Sequence, residues 1–118
     1  MSAHSALVNR ILLRFSVRPD LTLWKLNTGV GKPLHGERVI RFGIKGGTDI
    51  IGIMKPTGRF IAIECKTGSG ELEDDQKIFR DVVVDHGALY ILARHEDDVQ
   101  WALDQLRLKG LDPQCAAL

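Results

Sequence analysis

Cysteine is scarce in this chain of 118 residues: Cys65 lies inside an apolar run and Cys115 near the end. Such a pair is a poor basis for a disulfide framework, and both read as free thiols. Long hydrophobic runs are also missing, since no stretch approaches the roughly 20 apolar residues that a spanning helix needs. The segment from Met1 to Leu7 has neither the basic start nor the apolar run of a secretion signal. The expected location is therefore the cytoplasm. The histidines, His4, His35, His86 and His95, show no metal-ligand spacing, which argues against zinc. Repeats, low-complexity tracts and long Pro/Ser-rich linkers are absent too, so a single domain over 1–118 is expected, with a core from about 5 to 109 and a tail at 110–118.

What is present is 44% hydrophobic residues, enough for one core, and a net charge of +1 that hides an uneven distribution. Residues 1–70 hold 11 Lys/Arg against 4 Asp/Glu, and residues 71–118 hold 5 against 11, giving +7 followed by −6. A basic half is what a polyphosphate partner requires, because each neutralised phosphate releases counterions. Ordinary charge scatter would produce the same count.

Apolar periodicity supplies the elements. Leu7, Ile11 and either Leu12 or Phe15 recur at helical spacing over Ala6 to Phe15, and Pro19 forbids continuation. Leu21 to Leu26 and Arg38 to Phe42 read as short strands, with a Gly- and Pro-rich loop over Asn27 to Gly36. Ile50 to Met54 and Arg59 to Lys66 are two apolar runs around the turn Lys55-Pro56-Thr57-Gly58, a β-hairpin apolar enough to be central in a sheet. A second helix follows over Asp74 to His86, with Ile78, Phe79, Val82 and Val83 as its apolar set and Gly87 as the stop. Ala88 to Ala93 is a strand, and Glu96 to Lys109 a third helix with Val99, Leu103 and Leu106 on one face. The fold class is α/β or α+β: a central mixed sheet whose hairpin carries the site, flanked by helices.

The hairpin brings chemistry together. With a symmetric four-residue turn, Met54 faces Arg59 and each opposed pair sums to 113, as do Asp49 and Glu64. They become cross-strand neighbours at the open end, Cβ atoms about 4.5 to 5.5 Å apart. Alternation puts Glu64 and Lys66 on that same face and Cys65 on the other. Taken singly, Asp49 could be a turn residue, and Glu64 with Lys66 a surface ion pair. Two carboxylates that close call for a cation, and oxygen ligands select Mg²⁺ or Mn²⁺, with the Cys65 backbone carbonyl as a further ligand. Lys66 could then orient or deprotonate the attacking water or neutralise charge on a phosphate, chemistry that amounts to phosphodiester hydrolysis.

The runs Gly46-Gly47-Thr48-Asp49-Ile50-Ile51 and Ile63-Glu64-Cys65-Lys66-Thr67-Gly68, followed by Leu72 and Gln76, resemble the PD-(D/E)XK nuclease superfamily and within it the stand-alone VRR-NUC domains. The resemblance extends over about residues 5 to 105, and Trp24-Lys25-Leu26-Asn27-Thr28-Gly29 looks like that family's segment ahead of the sheet. It implies a restriction-endonuclease-like core and a metal-dependent DNA endonuclease, with Asp49 and Glu64 on the metal, Lys66 positioning the water and Gln76 supporting the site. Branched DNA or Holliday junctions are the substrates it suggests, and a homodimer the assembly. Many relatives carry an acidic residue in the first helix, which is absent here; Asn9 or Ser5 could stand in through a water. DNA contacts are expected from Lys32, Arg38, Arg41 and Lys45, and more weakly from Asn27 and Thr28. The alternatives are a restriction-like or nicking nuclease of the same fold, or a non-catalytic nucleic-acid-binding module.

Overall fold

A computed structural model describes residues 1–26, 29–31 and 40–108 of the chain. Helix α1 spans Ala3–Phe15, strand β1 Leu21–Lys25, β2 Gly29–Gly31, β3 Ile40–Phe42, β4 Ile50–Met54 and β5 Arg59–Cys65. Helix α2 spans Asp74–Asp85, β6 Leu89–Ala93 and α3 Glu96–Leu108. Four strands form a mixed sheet in the order β1-β4-β5-β6, antiparallel except for the parallel β5/β6 pair, which the α2 crossover connects. The protein is thus a small α+β domain, and the expected hairpin and element order are observed.

Helix α1 starts earlier than the periodicity suggests, because Ser2 caps it: its hydroxyl accepts the Ser5 N–H at 3.0 Å. Leu7, Val8, Ile11 and Phe15 are buried from that helix, and they meet Ile50, Ile61, Ile63 and Cys65 of the sheet with Val99, Leu103 and Leu106 of α3. Burying each such aliphatic side chain contributes about 1.5–3 kcal/mol. On the other sheet face α2 packs Val83 against Ala62 and Tyr90, with Phe60, Leu72 and Phe79 at the margin. The apolar set expected on α2 is only partly buried: Ile78 is 64% and Val82 52% exposed. This helix presents a narrow strip to the sheet, and the strip runs through Val83.

One further reading changes. The Gly-rich stretch from Asn27 to Gly36, expected as loop, contributes β2, which pairs with β3 as a separate two-stranded sheet (Val30 opposite Arg41). Glycine lowers strand propensity, so pattern alone hides such a strand. Asn27, Thr28, Lys32, His35 and Arg38, as well as the tail 110–118 with Cys115, lie outside the described residues. Among the described residues no helix is long and apolar enough to cross a membrane.

Candidate active site

The site is built at the open end of the β4/β5 hairpin. The hairpin register pairs Met54 with Arg59 and Ile50 with Ile63, as the four-residue turn requires, so the next opposed pair is Asp49 and Glu64. Ahead of β4 the chain makes a tight turn at Gly46, whose φ is 71°. A Cβ on Gly46 would stand 2.2 Å from the Asp75 carbonyl oxygen, so this backbone lies directly against the first turn of α2. Thr48 is buried with its hydroxyl donating to the Ile50 carbonyl at 2.8 Å. The Leu26 N–H donates to the Asp49 carbonyl at 2.8 Å, which fixes the backbone from the β1 side.

With its backbone so held, Asp49 directs its side chain across the strand end. Oδ2 accepts the Cys65 N–H at 2.9 Å. In an antiparallel ladder a residue turns its N–H and C=O to the same side, so the Cys65 carbonyl is aimed at the same strip as Asp49. The Cys65 thiol points the other way, into the core between α1 and the sheet, and burial pushes it up to about 12. It therefore stays a neutral thiol, and only the backbone of Cys65 belongs to the site.

Glu64 is almost fully enclosed, with 4% of its side chain exposed. Gln76, in the first turn of α2, donates from Nε2 to Glu64 Oε2, while its Oε1 accepts the Glu73 N–H at 2.9 Å. One side chain thereby ties the start of α2 to the carboxylate. Lys66 Nζ lies 4.0 Å from the same Oε2, the lysine side chain being 19% exposed. Burial, then hydrogen bonding with and repulsion by the Asp49 carboxylate, raise Glu64 to about 8 from its ordinary 4.5, and Lys66 only partly offsets this. Ionising Glu64 beside Asp49 is therefore costly unless a cation joins them.

Asp49, Glu64, Lys66 and Gln76 are thus gathered at one place, and the geometry adds a residue not singled out from sequence. His4, on the first turn of α1, brings Nε2 to 3.2 Å from Asp49 Oδ2, and donates to it because a carboxylate can only accept. His4 precedes Leu7, Val8 and Ile11 by three, four and seven positions, so it continues the buried stripe. That phase, and Ser2 as a cap, were its signals. The stand-ins considered for this helix have partners of their own: the Ser5 hydroxyl accepts from the Ser2 hydroxyl at 3.1 Å, and the Asn9 amide lies 3.5 Å from the Met1 sulfur.

No family model matches the chain, and no curated protein matches its sequence.

Of the basic residues expected to meet DNA, Lys45 alone has a described side chain. It is 65% exposed, 3.7 Å from Asp75 at the start of α2, and so borders the site. Arg41 sits in β3 with its side chain outside the description, as are Lys32, Arg38 and Asn27 altogether. Among the described residues no three His, Cys, Asp or Glu side chains are grouped as a metal cage. The donor set at hand is two carboxylates, a backbone carbonyl and a neighbouring imidazole. It suits a hard divalent ion that keeps waters and takes substrate oxygens, as Mg²⁺ and Mn²⁺ do.

Proposed function

We propose that the chain is a Mg²⁺- or Mn²⁺-dependent endodeoxyribonuclease with a restriction-endonuclease-like core, of the kind the stand-alone VRR-NUC domains represent. The observation that carries this reading is the convergence of Asp49, Glu64 and Lys66 on one sheet face at the hairpin end. A bound divalent ion supplies Lewis acidity toward a phosphate oxygen and a water of lowered pKa. The chain does the rest. Asp49, Glu64 and the Cys65 carbonyl would hold the cation, and Gln76, donating to Glu64 Oε2, keeps that carboxylate from rotating away. His4 positions Asp49 from α1. Lys66, paired with Glu64 Oε2, would orient the attacking water and offset the charge building on the phosphate as the water oxygen bonds to phosphorus and the P–O bond to the leaving oxygen breaks, the water's proton passing to solvent and the leaving oxygen taking one from it.

DNA is the substrate class that the basic first half of the chain favours, with branched or junction DNA ahead of linear duplex. The test is a cleavage assay with Mg²⁺ or Mn²⁺ over duplex, single-stranded, flap and four-way-junction DNA. Cleavage that Asp49→Ala removes is expected, with the junction cut fastest. Equal cutting of junction and duplex would remove the junction preference, and no cutting of any substrate would overturn the nuclease reading. For His4→Ala the expected loss is about 10- to 100-fold in metal affinity or rate, the usual effect of removing a side chain that orients a ligand. Calorimetric Mn²⁺ binding that is unchanged in this variant would exclude His4 from the site.

A further inference from the structure

The sheet face that carries Glu64 is covered unequally. Register sets Trp24 opposite Ile51 and Ile51 opposite Ala62, so these three share a face, and alternation puts Glu64 on it two positions beyond Ala62. Helix α2 covers the β5 and β6 half, where Val83 packs with Ala62 and Tyr90. The β1 and β4 half stays open: Trp24 is 50% and Ile53 45% exposed. Exposed apolar side chains scattered singly need no explanation. Here an indole, with Ile51 and Ile53 beside it, forms one surface that runs into the candidate active site.

The same register measures the approach. One strand spacing of about 4.8 Å and two residues of about 3.3 Å place the Trp24 Cα about 8 Å from that of Asp49, and two spacings place it about 12 Å from that of Glu64. Backbone contacts fix this placement. The Leu26 N–H, two residues on from Trp24, donates to the Asp49 carbonyl at 2.8 Å, and a Cβ on Gly47 would stand 3.2 Å from Leu26 Cδ2. The end of β1 and the turn ahead of Asp49 are thus packed as one corner.

We infer that the Trp24 indole stacks on an unstacked base of a DNA strand whose phosphate lies at Asp49 and Glu64. The inference rests on the nuclease reading for what occupies those carboxylates. The span from them to Trp24 is about that from a phosphate to the base of its own or the next nucleotide. Within a duplex both faces of every base are taken by its neighbours, and only base edges meet a protein. A base in a flap, a single-stranded stretch or an open branch point offers a free π-face, which an aromatic ring matches whatever the sequence. Charge favours a nucleic acid over a partner protein's apolar patch. Lys25 is exposed on the edge strand next to the indole, and Lys45, 65% exposed, stands in the turn ahead of Asp49. Cations framing a stacking surface suit a strand in which bases alternate with phosphates.

Lys66→Ala removes the group that orients the water and leaves the metal ligands in place, so binding is measured in that background with Mg²⁺. Adding Trp101→Phe makes Trp24 the only indole of the chain. Its fluorescence is expected to be quenched by a single-stranded oligonucleotide, and far less by a duplex of equal length or by a strand of abasic nucleotides. The metal-free Trp101→Phe chain should show the same contrasts, which makes the result independent of Lys66. Trp24→Ala should bind the single strand about 5- to 150-fold more weakly, the worth of one stacked base. It should bind the abasic strand as before and keep its urea stability, because the indole is half out of the fold. Trp24→Phe should recover most of the loss. Quenching as strong by the duplex or the abasic strand, or by no strand, overturns the inference, as does undiminished single-strand binding by Trp24→Ala. Cleavage by the wild-type chain is read separately. A chain that cuts DNA yet fails these binding tests overturns the inference alone, whereas one that passes them and cuts nothing overturns the nuclease reading and leaves the stacking surface standing.

Discussion

Glu64→Gln is expected to reduce metal-dependent cleavage by about a thousandfold or more, the scale of losing a ligand that acts in the transition state. It is expected at the same time to flatten the pH dependence of the metal-free protein's stability. Glu64 sits at about 8 in the folded chain against an ordinary 4.5. Between those values the folded state binds a proton that the unfolded state has released. Stability from this group is therefore complete below about pH 4.5 and lost as pH rises through about 8. At about 1.4 kcal/mol per unit, less a discount for coupling to Asp49, wild type should lose on the order of 3 kcal/mol relative to Glu64→Gln between acid and alkaline pH. Urea titrations across that range measure the difference. Parallel curves for the two proteins would mean that Glu64 ionises as an exposed carboxylate does. For the loaded protein the sign reverses, because a cation displaces the proton: metal affinity should climb with pH until about 8.

Gly46→Val should be the most damaging substitution outside the core. Its backbone has φ 71°, where a side chain is strained, and the added Cβ would enter the space of the Asp75 carbonyl. The expected cost is about 3 kcal/mol or more, from strain and clash together. Cleavage should fall further than stability alone explains, since the turn that delivers Asp49 would be pushed from the helix that delivers Gln76. Near-native urea stability in Gly46→Val would mean that the turn and α2 are not in register as described.

Much of this site could be read from spacing. A four-residue turn between two apolar runs is enough to oppose Asp49 and Glu64 and to separate Glu64 from Cys65 by face, and the register obeys that arithmetic. Gln76 was legible by resemblance, but its geometry was not: nothing in a sequence says that one amide joins a helix start to a buried carboxylate 12 residues back. His4 was missed because the apolar period begins at Leu7 and the helix was started accordingly, although the cap at Ser2 lies further upstream. In α2 the apolar count misled for a different reason. Periodicity records which residues could be buried, whereas the breadth of sheet beneath a helix decides which are, and Ile78 and Val82 project past it. The strand Gly29–Gly31 escaped notice because glycine carries no side-chain pattern.

The loop Lys55-Pro56-Thr57-Gly58 is exposed throughout, and a side chain on Gly58 would touch nothing. The side chains of Lys55 and Thr57 are nearly free to vary, whereas Gly58, at φ 75°, is not, and neither is the loop's length. One residue more or less would rotate β5 by a half period and send Glu64 into the core in place of Cys65. The remotest part of the hairpin therefore acts as a gauge for the site at its far end. Natural variation there should fall on Lys55 and Thr57 while preserving the number of residues in the loop.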